Sequence, residues 1–103
     1  MALSGSMNTT QKIGFTFAPD QPLDGAITSE VTGDATVEFD DPATGLTGFI
    51  VSGSTAGADV TVVFTGDGAP GAEVATLQEV VTISITAPNA TTLGGVLSAP
   101  VPK

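Results

Sequence analysis

The chain contains no cysteine, histidine, tryptophan or tyrosine, and Lys12 and Lys103 are its only cations. Without cysteine there is no disulfide framework and no thiolate metal site, so the fold must hold by packing and sheet hydrogen bonds. Without histidine or cysteine the usual pairing of a nucleophile with its base cannot be assembled, and the serines and threonines fall on strands or in turns. The sequence therefore reads as non-enzymatic, with no cofactor. Eleven acidic residues give a net charge of −9. A surface of that sign repels phosphate backbones and anionic lipid alike, so neither nucleic acid nor a membrane is expected as a partner. No apolar run approaches the length a helix needs to cross a bilayer. Residues 1–7 have neither a basic nor an apolar signal region, which reads as an intracellularly made product, with Met7 as an alternative start.

What is present is alternation. At 103 residues the chain suits one domain, and surface scaling expects roughly 5,300 Å² exposed of roughly 14,600 Å² when extended, a real core. In 11–18, Ile13, Phe15 and Phe17 share one face and Lys12, Gly14 and Thr16 the other, the period of a half-buried strand. Pro19 to Gly25 carries two prolines and an Asp-Gly pair, hence a loop. Weaker alternation in 26–31 and stronger alternation in 35–40 flank a turn at Thr32-Gly33-Asp34. Asp41-Pro42-Ala43-Thr44-Gly45 then reverses the chain as a hairpin into 46–52, whose Phe49-Ile50-Val51 reads as covered on both faces. Val60, Val62 and Phe64 mark one face of 59–65, and Val81, Ile83 and Ile85 one face of 77–87. Gly66 to Ala75 between them reads as an exposed connection. The expected core is Phe15, Phe17, Val37, Phe39, Val62, Phe64, Val81, Ile83 and Ile85. Residues 1–10 read as an N-terminal arm, 11–88 as the domain, and 89–103 as an extended arm or last edge strand.

Few residues suggest chemistry. Asp40 and Asp41 abut a turn proline with no apolar cleft in view to raise a pKa, so they read as solvated turn charges. Asp34, Asp40, Asp41, Asp67 and Glu73 would bind calcium if their loops converged, but EF-hand spacing is absent and no metal site is expected. Gly66-Asp67-Gly68-Ala69-Pro70-Gly71 lacks the lysine of a phosphate cradle. The terminal arms are more suggestive, since Ala2, Leu3 and Met7 at one end and Leu93, Val96, Leu97 and Val101 at the other would be exposed on a monomer. Those last four are the candidate partner-binding residues.

The segments Thr32-Gly33-Asp34-Ala35-Thr36-Val37, Gly45-Leu46-Thr47-Gly48-Phe49-Ile50-Val51-Ser52 and Ser54-Thr55-Ala56-Gly57-Ala58-Asp59-Val60-Thr61-Val62 resemble the bacterial immunoglobulin-like group 2 pattern. They are also similar to small immunoglobulin-like proteins of tailed bacteriophages. The resemblance spans roughly 12–87 and implies an all-β, Ig-like Greek-key β-sandwich of about seven strands. Where the family often has a tryptophan in the second strand, Ser29-Glu30 stand here. The resemblance further implies a virion structural component, most directly a capsid decoration protein whose partner is the major capsid or another virion protein and which forms a multimer in the particle lattice. The alternative is a cell-surface or glycan-binding adhesion module, although the chain has no Trp or Tyr to serve as a sugar platform.

Overall fold

The computed structural model describes residues 2–69, 71, 74–90 and 93–103. Seven strands and no helix appear among them: β1 (Ala2–Asn8), β2 (Lys12–Thr16), β3 (Thr28–Thr32), β4 (Ala35–Phe39), β5 (Thr47–Ser52), β6 (Asp59–Asp67) and β7 (Thr76–Thr86). They form an all-β sandwich of two sheets, ordered β1-β7-β6-β3 and β2-β5-β4. Every pairing is antiparallel except that of β1 with β7.

The hairpin at residues 40–46 forms as the turn residues require. The Asp41 carbonyl accepts the Gly45 N–H at 2.8 Å, and the Asp41 carboxylate accepts the Ala43 N–H at 3.1 Å. Gly45 has φ +69°, and a Cβ there would collide with the Ile27 backbone, so both conformation and space call for glycine. The β3–β4 turn is instead a passage between sheets, made at Gly33 with φ +115°. Residues 2–8, expected within an N-terminal arm, are a sheet strand. Ala2–Asn8 runs in parallel register with Val80–Thr86, and Met7 is buried. Ala-Leu-Ser-Gly-Ser has little intrinsic strand preference, and the open ladder edge of β7 supplies what the local sequence does not. The connection expected at Gly66 to Ala75 is shorter, because β6 continues to Asp67.

Full burial tracks central position in the sheets. Val60, Val62 and Phe64 on β6, Val81, Ile83 and Ile85 on β7, and Ile50 on β5 are all buried, joined by Met7 and Ile27. Phe15, Phe17, Val37 and Phe39, expected in the core, are only half-buried against it. The reason is that β2 and β4 are both edges of a three-stranded sheet, so their inward side chains lie along the sandwich rim. Phe64 gathers the rings nonetheless, with centroids 4.7 Å from Phe15, 5.0 Å from Phe17 and 6.4 Å from Phe39. Phe49 points outward and is half-buried, its ring covered by the Lys12 ammonium 4.2 Å from the centroid. Its outer cover is thus a cation–π contact and not a second protein layer.

The molecule is long for its mass. Its radius of gyration is 20.4 Å and its longest dimension 85 Å, whereas a compact chain of this size would have a radius of about 13 Å. Exposed area is 7071 Å², well above the roughly 5,300 Å² of a compact fold. Residues 93–103 have no secondary structure and are exposed throughout.

Candidate functional site

Two features at opposite ends of the sandwich stand out: an apolar cleft at one and the C-terminal tail at the other. The cleft forms where the chain crosses from β2 to β3. Phe17 continues the ladder beyond β2, its N–H donating to the Leu46 carbonyl at 2.7 Å. The crossing segment is then tacked down twice, Asp24 N–H to the Asp67 carbonyl at 2.9 Å and Ile27 N–H to the Thr44 carbonyl at 3.0 Å. These bonds hold Leu23 and Ile27 over the end of β6. Gly66 leaves them room, since a Cβ there would already stand 3.3 Å from the Leu23 side chain. The result is a cavity of about 230 Å³ bordered by Phe17, Leu23, Ile27, Phe64 and Leu77. Leu77 is half exposed (52%) and Val74, on the adjoining loop, is 74% exposed, so the cleft opens beside an apolar surface. A second hollow on the far side of Leu23 is lined by Pro19, Pro22 and Leu46.

The tail leaves β7 at the other end. Leu93, Val96, Leu97 and Val101 are 103%, 92%, 96% and 79% exposed. The sequence singled out these four as partner-binding residues, and the structure places them on one extended segment with no cover from the sandwich. The alternative of an edge strand beginning at Thr91 starts outside the described residues, and residues 93–97 are not a strand.

Of the acidic residues considered as calcium ligands, Asp34 stands apart, while Asp40 and Asp41 lie in the hairpin at the end of the sandwich that also holds Asp67. Asp34 lies at the end of the sandwich where β6 begins, and Asp67 at the end where β6 finishes, eight residues or about 27 Å along a strand. Both carboxylates already serve the backbone. Asp34 accepts the Thr55 N–H at 2.9 Å, tying the β3–β4 turn to the β5–β6 loop. Hydrogen bonds from the Thr55 hydroxyl and backbone hold its pKa below the usual aspartate value. Asp67 accepts the Ala75 and Ala69 N–H groups at 2.9 and 3.0 Å, closing the β6–β7 loop, and these bonds lower its pKa in turn. Among the described residues no three metal-ligating side chains converge. Glu73 lies outside the described residues.

Sequence reasoning missed the cleft. Its one local sign was Leu23, an aliphatic residue alone between two prolines and an Asp-Gly pair. No family model matches this chain, and no curated protein or solved structure matches it significantly.

Proposed function

We propose that this chain is a non-enzymatic structural protein of a tailed-phage virion, a capsid decoration protein that docks an immunoglobulin-like sandwich on a larger lattice through an edge strand and adds contacts between subunits through its tail. The observation that carries this reading is the tail itself. Four aliphatic side chains exposed by 79% or more, past the last strand of a packed domain, are costly to leave uncovered and useful to a partner surface. The strand arrangement supports the fold part of the reading. A constant-type immunoglobulin sandwich groups its second, fifth and fourth strands in one sheet and its third, sixth and seventh in the other, as β2-β5-β4 and β3-β6-β7 are grouped here, whereas β1 departs from that pattern by pairing with β7 instead of β2. The net charge of −9 suits a surface component that must not bind packaged nucleic acid or self-precipitate.

The test is co-sedimentation of the full chain, and of a form lacking residues 91–103, with capsids that lack the protein. Weak binding by a folded truncated form, against strong binding by the full chain, supports decoration through a repeated tail contact. Equal binding by both forms removes the tail from the attachment. Binding to host cells with no binding to capsids replaces this reading with surface adhesion.

A further inference from the structure

We propose that the tail of one copy seats in the apolar cleft of a second copy, so that neighbouring molecules join head to tail. This deepens the decoration reading and rests on its claim that the tail is a binding arm.

Position comes first. Leu77, at the cleft, and Thr86, where the tail departs, stand at opposite ends of β7, about 30 Å apart. Val96 is ten residues beyond Thr86, a reach of about 33 Å when fully extended. Turning back at Pro88 and running along the same sandwich would use up several of those residues, so Val96 and Leu97 fall short of their own cleft. A neighbour's cleft carries no such constraint. The contact is heterologous, tail surface against cleft surface, and it repeats from copy to copy.

Size and chemistry agree. The cleft, at about 230 Å³, is smaller than the roughly 300 Å³ at which small-molecule sites begin, and its border of Phe17, Leu23, Ile27, Phe64 and Leu77 suits one or two aliphatic side chains. The tail offers Val96 and Leu97 adjacent to each other and fully exposed, after Gly94-Gly95.

Charge selects this occupant over others. All eleven acidic residues lie between Asp20 and Glu79, and Lys12 is the one cation in 11–88, whereas residues 80–103 contain no acidic residue and end in Lys103. Two sandwich faces brought together repel each other, but an acid-free apolar strand approaches the acidic domain without that cost. The other acid-free stretches, residues 2–19 and 42–58, are largely built into β1, β2 and β5, so the tail is the acid-free apolar segment left outside the sheets to enter a second copy's cleft.

The experiment is sedimentation equilibrium of the full-length chain from micromolar to millimolar concentration, in low and high salt. The weight-average mass is expected to climb above the monomer's 10.1 kDa, and more so in high salt, because screening relieves repulsion between domains while leaving the apolar contact intact. The tail variant Val96→Asp with Leu97→Asp and the cleft variant Leu77→Asp are each expected to remain monomeric alone. Mixed in equal amounts they are expected to form a dimer and nothing larger, since only one intact tail and one intact cleft meet. If Leu77→Asp loses its β-sheet circular dichroism, Leu77→Ser takes its place. A full-length chain that stays monomeric, association that survives in either variant, or a mixture that does not pair overturns the proposal. Pelleting of the same samples with capsids separates the two readings. A chain that pellets but never self-associates leaves decoration standing without the tail-to-cleft contact, and one that self-associates but never pellets does the reverse.

Discussion

Phe15 lies directly across the β2–β5 ladder from Gly48, and its ring occupies the space a side chain at Gly48 would need. Phe39 meets the same glycine from β4 on the other side, and the two rings stand edge to face at 5.7 Å. A Cβ at Gly48 would overlap both the Phe15 ring and the Glu38 carbonyl. The three-stranded sheet thus holds two aromatic side chains over its centre because its central strand lacks one there.

Gly48→Ala is therefore expected to destabilise the fold by about 1–3 kcal/mol through overpacking, despite alanine's better backbone entropy. Urea unfolding of the two proteins measures this, and an unchanged midpoint at equal slope contradicts it.

Phe64 is 2% exposed and touches three other rings, so Phe64→Ala removes the hub of the aromatic cluster and leaves a cavity between the sheets. The expected cost is about 3–5 kcal/mol, a large part of the roughly 5–15 kcal/mol available to a domain. A loss below about 1 kcal/mol in a two-state melt would remove Phe64 from the core.

Acid should loosen two loops before the core yields. Asp34 and Asp67 have pKa values lowered in the folded state by hydrogen bonds from Thr55 and from Ala75 and Ala69. A lowered folded pKa means that their stabilisation is complete above the unfolded value of about 3.9 and fades as pH falls through the folded values. Melting temperature is accordingly expected to fall steadily below about pH 4, and Asp34→Asn with Asp67→Asn should flatten that slope. Parallel slopes in the double variant and the wild type would show that these carboxylates do not carry it.

Calcium at millimolar concentration is expected to leave the melting temperature nearly unchanged, because Asp34 and Asp67 sit at opposite ends of β6 and both accept backbone N–H groups. A rise of roughly 10 °C or more, abolished by Asp40→Asn with Asp67→Asn, would reverse this and favour an adhesion module.

The period of two in Ile13-Phe15-Phe17, Val60-Val62-Phe64 and Val81-Ile83-Ile85, with the turn chemistry of Asp41 to Gly45, determined by itself that the chain is all-β, where most strands run and which of their faces turn inward. That information is local, because adjacent side chains on an extended backbone must alternate. Alternation does not say which strands become neighbours. The tertiary structure made Ala2–Asn8 a strand by offering it the edge of β7, and it left Phe15, Phe17, Val37 and Phe39 at the rim by making β2 and β4 edges. It also joined Phe17, Leu23, Ile27, Phe64 and Leu77, spread over sixty residues of sequence, around one cleft. The tail's exposure was legible beforehand only as a run of aliphatic residues among glycines and prolines. That it leaves from the end opposite the cleft follows from the antiparallel course of β6 and β7, a pairing that long-range packing alone decides.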